Sequence, residues 1–275
     1  MSHPLQAGLA SPDPAERRAA CLAAVDDPSA VLLLEALSRA LGDPVNAVSR
    51  AASDALVRLA PRHREVEETL RIALRGDDPR LRFGAAYTLA RLRPPGPQLL
   101  PAAAEALASP DGDVRWPAAR LLVDMGRLHG EVLGVLLGLA AASDSALVRR
   151  MAAFALRELA PDRPEAARAL LQASRDADRD VRRAATSALG GLLDPPREVP
   201  ARLVEALDAD PDAGVRRIAA VALGEICAER PEALPEGALD ALRRAGGESD
   251  DASLRRAAAR TLERLGVSGL AQGGA

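Results

Sequence analysis

Along most of this chain apolar residues return every three or four positions, the spacing of one face of an α-helix. The periodic stretches are of two alternating kinds. One kind opens on a short polar segment, reaches an apolar residue followed directly by Arg, and continues with Ala and Leu. Examples are DPRLRFGAAYTLARL at 78–92, DRDVRRAATSALGGL at 178–192, DAGVRRIAAVALGEI at 212–226 and DASLRRAAARTLERL at 251–265. Aligned on that dipeptide, the copies start at Glu16-Arg17, Val48-Ser49, Leu81-Arg82, Val114-Arg115, Val148-Arg149, Val181-Arg182, Val215-Arg216 and Leu254-Arg255. Their first members are 32, 33, 33, 34, 33, 34 and 39 residues apart. A near-constant period of this length marks a repeat array rather than a single compact core.

Each copy predicts its own helix. Asp13, Asp78, Asp111, Asp178, Asp212 and Asp251 stand three residues before the first anchor residue, where an Asp side chain can cap free backbone N–H groups. Pro14 and Pro79 follow at the first helical position, which needs no donor. After the anchor, apolar residues fall at +4, +7, +8 and +11, a 3.6-residue stripe. Ala at +4 and +5 lets neighbouring helices approach closely. The second kind of stretch lies between these helices: AVLLLEALSRAL at 30–41, EETLRIAL at 67–74, LLPAAAEALA at 99–108, VLGVLLGLAA at 132–141, AARALLQA at 166–173 and PARLVEAL at 200–207. Each copy therefore reads as an A helix, a turn and a B helix, and such pairs bury their apolar faces by stacking into a solenoid. The first copy reads as lacking its A helix, and the last has the longest spacing; both read as caps. The expected organisation is an N-terminal tail over 1–11, a single solenoid over 12–266 and a flexible tail over 267–275.

The Asp-x-x-Val-Arg starts and the helix-pair period resemble HEAT repeats, especially the short bacterial kind found in bilin-lyase subunits, over about residues 12–266. The resemblance implies an all-α fold, a right-handed α-solenoid of about eight HEAT-like helix pairs, with the B helices on the concave side. It specifies a fold and not a function, because such folds host unrelated roles.

At about 100° per residue the positions +2 and +6 lie opposite the apolar stripe of a B helix and are expected to face out. The +2 column is Arg18, Arg50, Phe83, Trp116, Arg150, Arg183, Arg217 and Arg256; the +6 column is Leu22, Asp54, Tyr87, Arg120, Phe154, Ser187, Val221 and Arg260. All four aromatic residues of the chain fall in these columns, in three consecutive copies. Two readings stay open: rings packed on neighbouring helices, or an exposed patch with the Arg-rich, aromatic composition of interface hot spots. The second makes Phe83, Tyr87, Trp116, Arg120, Arg150, Phe154, Arg183 and Arg217 the candidate partner-binding residues. Pro117 either sits in the first helical turn, if Asp113 is the cap, or removes one hydrogen bond from a helix capped by Asp111. The +1 column, Arg in every copy except Ser49, borders the core. It reads as structural, an Asp–Arg ladder to the capping Asp residues of the same or the next copy.

Composition narrows the chemistry. Only 1% of the residues are aromatic although 48% are hydrophobic, and all 36 basic residues are Arg against 39 acids, a net charge of −3. That balance argues against a protein basic all over, as many nucleic-acid binders are. Cys21 and Cys227 form no disulfide pattern and read as reduced thiols of a cytoplasmic protein. The N-terminal stretch lacks the charged and apolar regions of a signal peptide, and no apolar run is long enough for a membrane span. His3, His63 and His129 form no His-Glu pair or H-E-x-x-H box, so the HEAT-type iron hydroxylases are a poor match. A G-x-x-x-x-G-K-[ST] loop is impossible without Lys, and no G-x-S-x-G elbow is present. No catalytic residue, metal ligand or cofactor is expected.

Three functions follow. The first is a non-catalytic scaffold whose groove binds a protein or peptide with acidic, partly apolar segments. The second is nucleic-acid binding in the manner of HEAT-like DNA glycosylases, using Arg columns and stacking rings, which the net charge disfavours. The third, implied by the resemblance, is a subunit of the bilin-lyase type that carries a chromophore.

Overall fold

The computed structural model describes residues 3–267. Among these it contains sixteen α-helices, short 3-10 turns and loops, and no strand. By contacts the chain divides into two compact units, Met1–Val132 and Leu133–Ala275.

The first unit holds α1 (Pro4–Leu9), α2 (Pro14–Ala23), α3 (Leu34–Arg39), α4 (Asn46–Leu59), α5 (Glu65–Ala73), α6 (Pro79–Leu92), α7 (Leu100–Ala106) and α8 (Gly112–Gly126). Then come α9 (Glu131–Ala142), which begins at the end of that unit, α10 (Ala146–Leu159), α11 (Pro164–Ala173), α12 (Arg179–Gly190), α13 (Glu198–Ala209), α14 (Ala213–Glu229), α15 (Ala238–Gly247) and α16 (Ala252–Arg264). Odd helices are the A helices and even helices the B helices. In the first unit the B helices pack in chain order, α2 on α4, α4 on α6 and α6 on α8, each beside its own A helix; in the second α10, α12, α14 and α16 pack in chain order, with α12, α14 and α16 beside α11, α13 and α15. The first copy does have an A helix, contrary to the sequence reading: Pro4–Leu9, capped by His3, packs on α2 and buries Leu9. Its apolar period is too short to register as a stretch. The tail expected over 267–275 lies outside the described residues from position 268 onward.

All six expected Asp caps are made. Asp13, Asp78, Asp111, Asp178, Asp212 and Asp251 each accept a backbone N–H of their own first turn. A substitution that removes such a cap costs about 1 kcal/mol. Asp111, not Asp113, caps α8, so Pro117 lies inside the helix and has no N–H to offer the Asp113 carbonyl.

The apolar stripe makes the cores. Leu33, Leu37, Leu56, Leu59 and Leu70 are fully buried in the first unit, and Leu156, Leu170, Leu189, Leu203 and Leu223 in the second. Each such side chain contributes about 1.5–3 kcal/mol relative to an exposed one. Gly190 shows how closely the B helices of the second unit approach, because a Cβ there would lie 2.7 Å from the Cβ of Ala222. Cys21 and Cys227 are buried members of these cores, and burial pushes both thiols up to about 11. No helix among the described residues is long and apolar enough to cross a membrane.

The +1 arginines form a ladder, but not to the capping Asp residues that the sequence pointed to. Their partners lie two residues earlier, five before the anchor. Arg17 binds Asp43 through Nε at 2.6 Å and a terminal nitrogen at 3.0 Å, Arg149 binds Asp176 at 2.7 and 2.9 Å, and Arg182 binds Asp210 at 2.9 and 3.1 Å. These three arginines reach forward to the next copy. Seven of the +1 arginines also reach back to their own turn, where Ser11, Gly76, Ser109, Ser143, Asp176, Asp210 and Ser249 accept with their carbonyl oxygens from Arg17, Arg82, Arg115, Arg149, Arg182, Arg216 and Arg255. The earlier Asp also accepts a backbone N–H of its own turn, from Val45, Asp178 and Asp212, while its carboxylate takes the guanidinium fork. Copies are thus joined by side chain and backbone together.

Candidate functional site

The outward columns behave as the helical period predicts, with one exception. Arg18, Arg50, Tyr87, Trp116, Arg120, Arg217, Val221, Arg256 and Arg260 are exposed, and Arg150, Phe154, Arg183 and Ser187 are half-buried. Phe83 is the exception: it is 6% exposed, against 39% for Tyr87 and 38% for Trp116. The expectation of an outward ring at Phe83 is therefore corrected. The cause is the seating of α6.

In the first unit α6 touches its flanking B helices α4 and α8 only loosely and rests instead on the 3-10 turn Ala40–Gly42. Gly84 permits this, since a Cβ there would lie 2.8 Å from both the Cβ and the carbonyl oxygen of Leu41. A groove of 420 Å³ lies between α4, α6 and α8. Leu41, Phe83, Gly84, Val114 and Pro117 supply its apolar surface, Tyr87 stands at its edge, and Asn46, Ser49, Arg50, Ser53, Asp54, Arg80, Arg91 and Asp113 complete the wall. The Phe83 and Tyr87 rings lie 6.0 Å apart, tilted by 39°.

Both ends of the groove are polar. At the N-terminal ends of the helices α4 reaches past α6 to α8: Asn46 Nδ2 donates to Asp113 Oδ2 at 2.9 Å, and Arg50 pairs with Asp113 at 2.7 Å. Arg80 on α6 joins this cluster, donating to Asn46 Oδ1 and to Asp111 at 3.1 Å. Burial alone would raise the Asp111 carboxyl, but the Asp113 N–H, Asn46 and Arg80 outweigh it and hold it below the usual carboxylate range. At the other end Arg91 pairs with Asp54 at 2.7 Å and donates to Ser53 Oγ at 2.9 Å, while the buried Thr88 hydroxyl lies 2.9 Å from Ser53 Oγ. Each of the three arginines has an aspartate partner, Arg50 with Asp113, Arg80 with Asp111 and Arg91 with Asp54, so these charges balance.

Of the eight candidate residues, Phe83 and Tyr87 share this groove, while Trp116 and Arg120 lie on α8 as exposed residues outside its lining. Arg150, Phe154, Arg183 and Arg217 belong to the second unit, on α10, α12 and α14. There Arg183 is held by Asp212 at 2.7 and 2.8 Å and by Asp180 at 3.3 Å. Sequence reasoning did not single out Asn46, Ser49, Arg80, Gly84, Arg91 or Asp113. Two signals were present: Ser49 is the one break in the +1 column, and the +3 column holds Gly84 and Pro117 where the other copies have Ala, Met or Ile. Among the described residues, no group of three or more His, Cys, Asp or Glu side chains could hold a metal ion.

Comparison with known proteins bears on the fold. The family described as HEAT repeats matches residues 100–190 and 133–224. Comparison with curated proteins finds no match. Among solved structures, Kap95p, in a complex concerning the switch loops of RanGDP, is similar with a TM-score of 0.64 at 14% identity, over 98% of this chain and 41% of that one. Importin β is similar with a TM-score of 0.59 at 20% identity, over 95% of this chain and 40% of that one. A mutant of Kap121p gives 0.57 at 15% identity, over 95% and 33%. The chain spans well under half the length of these three proteins. The likeness is one of fold, and it agrees with the repeat period, the helix pairs and the caps: the chain carries HEAT repeats, matched directly over residues 100–224.

Proposed function

We propose that this protein is a non-catalytic scaffold that binds a protein or peptide partner along the outward faces of its B helices. The observation that carries the reading is the state of the +2 and +6 columns. They stay largely exposed while the apolar stripe of each B helix is buried, and they are rich in Arg with Tyr87 and Trp116 among them. Exposed aromatic and Arg side chains are the usual energetic centres of protein interfaces. The HEAT-repeat fold supports a protein partner as well, since Kap95p with the same kind of fold binds RanGDP. A cytoplasmic setting belongs to this proposal.

Partner capture from the source cell with the wild type and a Tyr87→Ala/Trp116→Ala double variant, read by mass spectrometry, tests it. A protein retained by the wild type and lost from the variant supports the scaffold. An identical set of captured proteins from both overturns this assignment of the surface. Phe83 is unsuitable for that test, because its truncation would remove core contacts.

A further inference from the structure

We infer that the +2 arginines of α10, α12, α14 and α16 form a rail for an acidic polyproline-II segment of that partner, with carboxylates in a three-residue register. The inference rests on the scaffold reading and adds the place within the second unit and the chemistry of recognition.

In these four copies the +2 column is Arg150, Arg183, Arg217 and Arg256, and the +6 column is Phe154, Ser187, Val221 and Arg260, so neither holds an acid. Arg183 is already neutralised, by Asp212 at 2.7 Å and Asp180 at 3.3 Å. Among the described residues Arg150, Arg217, Arg256 and Arg260 form no ion pair, and Arg256 donates to Ser253 Oγ at 3.2 Å. Asp251 feels the charge of Arg217, but the N–H groups of Leu254 and Ser253 are the larger causes that hold its carboxyl low. The +1 arginines of the same unit differ, because Arg149 and Arg182 are bound to Asp176 and Asp210. Donors of the outward arginines are therefore open to a carboxylate from outside.

Spacing selects the conformation. The B helices of this unit approach closely: a Cβ at Gly190 would lie 2.7 Å from the Cβ of Ala222, and one at Gly224 would lie 3.1 Å from the Thr261 side chain. Packed helix axes stand about 8–10 Å apart, so the +2 rungs recur at about that interval. A polyproline-II helix turns once in three residues, about 9 Å, and presents every third side chain to the same side. A β-strand repeats on one face after about 7 Å and falls out of step with the rungs. Because Arg183 is neutralised, the carboxylates that count lie opposite Arg150, Arg217 and Arg256, six and three residues apart. Single-stranded nucleic acid binds on stacking rings, and the one ring in these columns, Phe154, is half-buried.

Fluorescence anisotropy with two labelled peptides on the full chain tests this. Both contain ten residues, four Glu and six Pro: one has Glu at every third position from first to last, the other has its four Glu in one block. The spaced peptide should bind about tenfold or more tightly than the blocked one. Arg150→Gln and Arg217→Gln should each weaken it by about threefold to tenfold, and Arg183→Gln by less. Arg168→Gln makes the same charge change on α11, outside both columns, and should leave it unaltered. Equal affinity of the two peptides, absence of binding by either, or losses no greater than with Arg168→Gln would overturn the rail. So would an oligo(dT) of ten nucleotides that displaces the spaced peptide at lower concentration than the unlabelled peptide does. None of these outcomes touches the scaffold reading, which is tested separately by the capture experiment on Tyr87 and Trp116 in the first unit.

Discussion

Arg80 donates its Nε to the backbone carbonyl of Asp43 at 2.7 Å, and so performs from the next helix the task that each copy's own +1 arginine performs elsewhere. In seven copies the carbonyl five residues before the anchor is taken by the Arg of that copy; in the second copy the residue is Ser49, and Arg80 reaches across to replace it. The replacement ties α6 to the entry of α4 and brings the guanidinium onto Asn46 and Asp111. Arg80→Ala should cost about 2 kcal/mol, because it leaves a carbonyl and two polar side chains short of their donor. Urea unfolding of the variant against wild type measures it.

The ladder predicts a cost of similar size in the second unit. Asp176 accepts from Arg149 and also from the N–H of Asp178 at 2.8 Å, so Asp176→Ala strips a guanidinium and a turn at one stroke. A loss of about 2 kcal/mol is expected. Mutating both residues, Arg149→Met with Asp176→Ala, should recover part of it, since no charge is then left without its partner.

Phe83 and Tyr87 should separate in their effects although their rings lie 6.0 Å apart. Phe83→Ala removes a ring that is 6% exposed and should destabilise by about 3 kcal/mol. Tyr87→Ala truncates a ring that is 39% exposed and should cost about 1 kcal/mol or less. Thermal unfolding of the two variants would show the difference; equal losses would mean that Tyr87 is as much a core residue as Phe83.

Acid should weaken the fold in a defined window. The Arg149 guanidinium holds Asp176, and that of Arg183 holds Asp212, below the usual carboxylate range; for Asp43, burial pulls upward but Arg17 and the Val45 N–H outweigh it. A carboxyl whose value is lower folded than unfolded stabilises the fold at pH above its unfolded value, about 4, and that contribution vanishes as pH falls through the folded value. Stability should therefore change little from neutral pH to about 5 through these groups, and decline below about 4. Urea midpoints across that range check it, with Asp176→Asn showing a shallower decline than wild type.

The two thiols should report unfolding. Burial lifts Cys21 and Cys227 to about 11, so at pH 8 on the order of a thousandth of either is thiolate, and access is closed as well. Alkylation should be slow in the native protein and complete in urea. Rapid native labelling of Cys21 would show that α2 opens locally.

Much of this molecule is readable from residues alone, for a local reason. A cap needs an Asp and the N–H groups next to it, a stripe needs apolar residues one turn apart, and both depend on positions within one helix. Asp178 and Val181 illustrate this: the cap and the buried anchor lie three residues apart, and nothing distant alters either. Exposure of Arg50, Trp116 and Arg217 follows equally from helical period. The short α1 escaped because Pro4–Leu9 is too brief to show a period.

What tertiary structure decided lies between helices. Phe83 and Trp116 hold the same +2 place, yet one is buried and the other exposed; α6 packs closely on Leu41 at Gly84. Ladder partners were misassigned for the same reason: Asp176 and Asp178 are equally plausible by sequence, and only the offset between successive helix pairs selects Asp176 for Arg149. A repeat period specifies each helix and its buried face, whereas the depth at which one helix seats against the next depends on side chains from three helices at once. The groove of the first unit is a product of that depth.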